Sequence, residues 1–335
     1  MPDDPMPYVL DPSLPIAKQW DRPLSEVAGL PPLGLADEAK ERHRIFSLCL
    51  FTVMRQYFNG NSHGSKGEYP WRVKQREPDG RYTGSDYLGH NIGALAVDGR
   101  GEVIDFDFNH NTIFASSVEH AETRLVRRVF GLSQIGDGWQ TRKDPAPLQG
   151  YSTILSDVTV YTSLESCAQC SGVMALGEVS QVVFLQRDPG TYHVGNILYS
   201  LTKSDKRSYA PLPIPGSEID FGYFTELNKL YADYYAQVKD RPFWIPPGGG
   251  QPDTSRALTG FLCTDDALDI YDRARADFYA LSPVIEGTPG TGTSALSFPD
   301  FRPTPDALSN AEALDVAARF AVYAARAGRR GTPHK

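Results

Sequence analysis

With 335 residues, 41% apolar and 22% charged, the chain has the length and composition of one large globular domain or two ordinary ones, which excludes a disordered polypeptide and a miniature scaffold. A formal charge of −8 leaves no overall positive field to gather polyanions, so nucleic acid is the less expected partner. The four cysteines, Cys49, Cys167, Cys170 and Cys263, are too few for a disulfide framework, and the C-x-x-C pair among them reads as metal or redox chemistry.

The first 35 residues hold eight prolines and predict an extended arm. The chain starts MPDDPMPYVLDPSLP, acidic where an export signal would be basic and then apolar, so a cytoplasmic protein is the expectation. Residues 37–58 predict a helix with Asp37 near its start and a broad apolar face from Ile45 to Met54. That run is about half the length a membrane crossing requires, so no membrane partner is expected. Residues 60–88 form a polar loop or weak hairpin in which Trp71 and Tyr82 alternate with Arg72 and Lys74. Two strand-like runs, 91–98 and 102–108, flank Gly99-Arg100-Gly101 and predict a β-hairpin. Residues 118–130 read as a helix and 157–162 as a β-branched strand. A short helix over 167–176, a strand over 179–185 and a helix over 195–202 follow.

Strands alternating with helices predict a three-layer α/β domain with a mixed sheet over residues 36–203, carrying insertions at 60–88 and 131–156. Beyond it, proline-rich stretches separate helical segments near 223–239, 256–281 and 306–328, so residues 204–335 read as an appended helical C-terminal region. The tyrosines at 223, 231, 234 and 235 predict a packing face, and Cys49 and Cys263 predict core positions.

Two short segments carry the chemistry. Glu119-His120-Ala121-Glu122 opens a predicted helix, and Thr162-Ser163-Leu164-Glu165-Ser166-Cys167-Ala168-Gln169-Cys170 runs from a strand into a helix. A catalytic zinc takes three protein ligands of nitrogen or sulfur and keeps a fourth position open. His120, Cys167 and Cys170 supply that set, and Glu122, two positions past the histidine, is a non-ligating carboxylate available to move protons. His110 and His193 lack ligand-like spacing to the pair and read as ordinary polar residues.

The H-x-E and C-x-x-C pattern resembles that of the cytidine deaminase-like superfamily of zinc deaminases, most closely its tRNA-adenosine deaminase and guanine deaminase branch. Ile92-Gly93-Ala94-Leu95-Ala96-Val97 resembles the family's first strand, Leu164-Glu165 precedes the cysteines in the family manner, and Val182-Val183-Phe184 with Arg187-Asp188-Pro189 resembles the next strand and its exit. The resemblance covers roughly residues 90–202 and implies Zn2+ as cofactor and hydrolytic release of ammonia from an amino-substituted nucleobase, nucleoside, nucleotide or related heterocycle. It also implies substrate contacts from Asn109, Ala121 and the backbone of Ser166. Two departures stand out: Ser166 replaces the usual proline, and His120 to Cys167 spans 47 positions. A small heterocycle is the expected partner, with a homodimer possible. Two readings stay open beside it: a deaminase of adenosine or cytidine in a polynucleotide, and an inactive deaminase fold serving as a binding subunit. The additions outside the core are expected to wall the substrate pocket or border it at a subunit contact, with Trp71 and Arg72 offering a stacking surface and an anion grip.

Overall fold

The computed structural model describes residues 23–74, 87–136, 155–202, 210–284, 287 and 289–327, with the backbone alone for 131–136. The sheet elements are β1 (Gly93–Val97), β2 (Val103–Phe108), β3 (Thr159–Thr162), β4 (Gln181–Phe184) and β5 (Leu212–Pro215). The helices in chain order are α1 (Leu24–Ala28), α2 (Asp37–Gln56), α3 (Ala121–Gly136), α4 (Ala168–Leu176), α5 (Val194–Thr202), α6 (Gly222–Gln237), α7 (Leu258–Phe261), α8 (Asp265–Leu281) and α9 (Asn310–Ala327).

The sheet order is β2-β1-β3-β4-β5, antiparallel across the hairpin and from β1 to β3, parallel from β3 to β5. The chain is thus an α/β protein with a mixed sheet between helices. The hairpin β2, read VIDFDF, shows why: side chains alternate across a sheet with period two. Phe106 and Phe108 point to one face, where they meet Tyr57 after α2, and Phe106 also meets Phe320 of α9. Asp105 and Asp107 point to the other, where Arg128 of α3 donates to both at 2.9 and 3.2 Å and Arg124 pairs with Asp107 at 3.2 Å. On β3, Tyr161 packs against Phe46 of α2 while Thr162 reaches Glu122 of α3. Gly93 lets the strand approach α2 closely: a Cβ there would meet the Met54 sulfur and oblige that side chain to move.

α2 is the hub of its layer. Every residue from Ile45 to Met54 is buried, so the helix has no solvent face along that run. The sheet covers one side, and α8, α9 and the turn at Gly216–Ile219 pack on the others. Its charged residues are tied to the C-terminal region as well. Arg42 donates to the carbonyls of Leu308 and Arg100 at 2.8 and 3.0 Å, and Glu41 accepts from the Ser297 and Phe298 N–H groups at 2.7 and 2.8 Å. Gly101, at φ +99, leaves room for the Arg42 guanidinium that a Cβ would occupy. Replacing Arg42 by alanine should cost about 3 kcal/mol, because two charge-assisted bonds are lost together with the packing of a buried side chain; equilibrium urea unfolding reads this directly.

The region from 204 onward is helical as expected, and it also contributes β5 to the sheet while its helices share one hydrophobic core with α2 and the strands. Two expectations change. The arm is not extended throughout: α1 packs on α5, and Leu33 N–H donates to Glu218 at 3.0 Å, while residues 1–22 lie outside the described residues. The predicted helix at 118 begins at Ala121, since the segment before it turns through hydrogen bonds to Leu88 and His110. As expected, Cys49 and Cys263 are core residues, and Tyr231 and Tyr234 pack on Phe261. None of the described helices is long and apolar enough to cross a membrane.

Candidate metal centre

The candidate centre forms where two helix N-termini converge beside the end of β3. His120 sits immediately before α3, and its carbonyl accepts the first helical N–H, from Arg124, at 3.0 Å. The N–H of Ala121, the first residue of α3, would be an orphan of the first turn; Asn109 Oδ1 accepts it at 2.7 Å. Asn109, expected to contact substrate, thus has one side-chain atom engaged in fixing the helix that carries His120 and Glu122. Asn109→Ala should lower stability by about 1 kcal/mol and weaken metal retention, read as a shift in the denaturant midpoint and in zinc lost to a chelator.

Cys167 is the N-cap of α4 and Cys170 lies one turn in, so both sulfurs stand at the positive end of that helix. His120 Nδ1 is 3.4 Å from the Cys167 sulfur and 3.6 Å from the Cys170 sulfur, and the three donor atoms lie within 4.8 Å of one another. A single ring nitrogen has one proton or one lone pair and cannot serve two sulfurs fully at once. A tetrahedral zinc with Zn–N near 2.05 Å and Zn–S near 2.3 Å would set each N···S separation at about 3.6 Å. The residues therefore fit that ion in donor chemistry and in spacing. Among the described residues no other group of three His, Cys, Asp or Glu side chains comes together in this way. Cys170 is fully buried while His120 and Cys167 are half-buried, which leaves the approach on their side.

The electrostatics suit a cation. The Cys167 thiol is pushed down to about 4, first by a hydrogen bond from the Cys170 thiol and then by one from the His120 ring. Cys170 is correspondingly pushed up, and the His120 ring is raised by its bond to Cys167. Thiolate is the ligand form of cysteine, so binding of a metal ion would release the remaining thiol proton. Glu122 is 3% exposed, and burial raises its carboxyl above the usual range. Its Oε1 accepts from the hydroxyls of Thr162 and Ser166 at 3.0 and 3.1 Å.

The structure brings His120, Ala121, Glu122, Asn109, Ser166, Cys167 and Cys170 together. It does not bring Trp71 and Arg72 there as a ligand platform. Trp71 is 4% exposed, donates from Nε1 to the Arg241 carbonyl at 2.7 Å and packs edge-on against Tyr234. Arg72 is fully buried, donates to the Cys263 carbonyl and lies over the Phe58 ring. Both anchor the first half of their loop on the C-terminal region, and a side chain without exposed surface offers a ligand nothing to stack on. Trp71→Ala should cost about 3–5 kcal/mol and leave metal content unchanged; denaturation and metal analysis of one sample test both. The far end of the same loop is tied to the segment that follows Asn109, where the Leu88 carbonyl accepts from the Thr112 and Ile113 N–H groups. Residues 75–86 and 137–154, within the two expected insertions, lie outside the described residues.

His110 Nδ1 lies 2.8 Å from the Phe108 carbonyl, and His193 lies 3.4 Å from Glu165 and 3.1 Å from Arg187, so neither joins the ligand group. Two residues escaped the sequence reading. Thr162 reaches Glu122 because it is the last residue of β3, one step out of phase with Tyr161, and that alternation was the available signal. His90 lies close enough to His120 for the two charges to oppose each other, with burial lowering its pKa first.

No protein-family model and no curated protein sequence matches the chain. Solved structures do. A tRNA:A34 deaminase that carries out A-to-I editing at the wobble position aligns at 20% identity over 38% of this chain and 82% of its own, with a TM-score of 0.28. A guanine deaminase from Bacillus subtilis aligns at 23% identity over 30% of this chain and 52% of its own, with a TM-score of 0.24. A guanine deaminase from Nitrosomonas europaea aligns at 18% identity over 40% of this chain and 70% of its own, with a TM-score of 0.26. All three overlaps are partial, and their TM-scores are low.

Proposed function

We propose that the protein is a zinc-dependent hydrolytic deaminase of the cytidine deaminase-like kind, acting on an amino-substituted nucleobase, nucleoside, nucleotide or related small heterocycle. The observation that carries the reading is the convergence of one imidazole nitrogen and two thiols at metal-ligand spacing beside a buried carboxylate that is not part of the ligand group. His120, Cys167 and Cys170 would hold the ion. When bound, zinc supplies Lewis acidity that lowers the pKa of water toward neutrality.

The chain's own residues do the rest. Water adds its oxygen to the amine-bearing ring carbon, the C–N bond breaks, and ammonia leaves. Glu122 takes one proton from the water and passes it to the ring nitrogen, then takes the second from the hydroxyl now on the ring carbon and delivers it to the departing amine, leaving a carbonyl on that carbon. Its burial favours the protonated form and the two hydroxyls favour the ionised form, so it is suited to both halves of that cycle. Asn109 and the Ser166 carbonyl would contact the heterocycle, and the Ser166 carbonyl is itself fixed by the Ser171 hydroxyl at 3.3 Å.

The acidic balance of the chain favours a small molecule over a polynucleotide. Metal analysis tests the centre: purified protein should hold about one zinc per chain and lose it on Cys170→Ser. Full zinc content in that variant, or none in metal-replete wild type, overturns the assignment. Substrate affinity that falls steeply with added salt would overturn the small-molecule part.

A further inference from the structure

Glu122 is a base on a flexible side chain, and two hydroxyls from the strand-to-helix turn engage the same oxygen of it. Ser166 Oγ donates to Glu122 Oε1 at 3.1 Å and Thr162 Oγ1 at 3.0 Å, and all three side chains are buried. Both bonds end on Oε1. The two donors are not equivalent. A hydroxyl has one proton, and Thr162 also faces the Leu164 carbonyl at 3.1 Å, so it divides that proton between two acceptors. Ser166 has its donor directed at the carboxylate, and its own backbone is held by Ser171. A proline at position 166 would have no such donor.

We infer that Ser166, backed by Thr162, is a positioning residue of this site: its hydroxyl clamps Glu122 Oε1, fixing the carboxylate's rotamer so that Oε2 alone serves the reacting atoms. The inference rests on the proposed role of Glu122. A carboxylate held at one oxygen by charge-assisted hydrogen bonds has one orientation toward a substrate, whereas an unheld one distributes over rotamers of which few are productive. The clamp therefore acts on turnover and not on substrate binding. Because two donors share one oxygen, the loss from removing both exceeds the product of the single losses.

The test uses the zinc-loaded full chain and the variants Ser166→Ala, Ser166→Thr, Thr162→Val and the double Ser166→Ala/Thr162→Val. On the best substrate, kcat should fall about 10-fold for Ser166→Ala, less for Thr162→Val, and 100-fold or more, roughly, for the double. KM should stay within about twofold throughout, and Ser166→Thr should restore most of the loss because it keeps the hydroxyl. A second readout does not depend on turnover. Crystal structures of zinc-loaded wild type and the double variant should show Glu122 in one conformer in the former and in more than one in the latter. Unchanged kcat in a folded, zinc-replete double variant overturns the inference, as does a single unchanged Glu122 conformer there. Should the wild type release no ammonia from any heterocycle, the proposed reaction fails while the conformer comparison still decides the clamp.

Discussion

Glu122→Gln should abolish all but about a thousandth of the ammonia-releasing activity while leaving the zinc in place. The amide matches the carboxylate in size and can still accept from Thr162 and Ser166 at its oxygen, so the turn between β3 and α4 has no reason to move. It cannot take a proton from water or return one to an amine. His120, Cys167 and Cys170 are untouched, so metal content should equal that of wild type. The fold should be at least as stable in the metal-free state, because burying an ionised carboxylate carries a desolvation cost that an amide avoids. Steady-state kinetics, metal analysis and thermal unfolding of one preparation read all three. Retention of most of the turnover would remove Glu122 from the chemistry. Loss of zinc would mean that it ligates.

The second large effect concerns the region after α5. A chain stopped at Thr202 should fail to fold, even though it contains every residue of the candidate centre. Stopping there removes β5 from the sheet and α8 and α9 from the helix that forms the centre of the core, exposing the apolar run from Ile45 to Met54. The tie is also polar, since Glu41 and Arg42 would lose the backbone partners at Ser297, Phe298 and Leu308. A point variant keeps the idea testable where the truncated chain merely aggregates. Phe51 meets Phe221 and Tyr271 edge-on at 5.4 and 5.0 Å, and Phe51→Ala should cost about 3–5 kcal/mol in a single cooperative transition. Two separate unfolding transitions in the full chain would show that the C-terminal helices form an independent unit.

The elements with strong periodicity were readable in advance for physical reasons. The hairpin had alternating residues around a glycine turn, α2 had an apolar run with a break at Asn59-Gly60, and the three C-terminal helices had proline-rich stretches on either side. The ligand group was legible because metal chemistry restricts both residue type and spacing, and His120, Cys167 and Cys170 do meet.

What escaped the sequence depends on tertiary contact. β5 is four residues long, reads LPIP and carries Pro213 and Pro215, which within a sheet fit only an edge strand, so nothing local marked it as a strand. A polar loop with interleaved aromatics and arginines looks the same whether it grips a ligand or packs against helices. Trp71 and Arg72 proved to be packing residues only through their contacts with Arg241, Tyr234 and Cys263. The broad apolar surface of α2 did carry an unused signal. A helix without a solvent face requires cover on more than one side, and the predicted α/β core alone could not supply it.

The most direct measurement of the central claim is ammonia release by the zinc-loaded full chain over a panel of cytosine, adenine and guanine bases, nucleosides and nucleotides, run in ¹⁸O-labelled water. Hydrolytic deamination predicts that at least one compound yields one ammonia per product formed, with the label at the ring carbon that carried the amine, and that Glu122→Gln reduces this by about a thousandfold. A zinc-replete, folded protein that releases no ammonia from any member of the panel, or a product without the label, would contradict it.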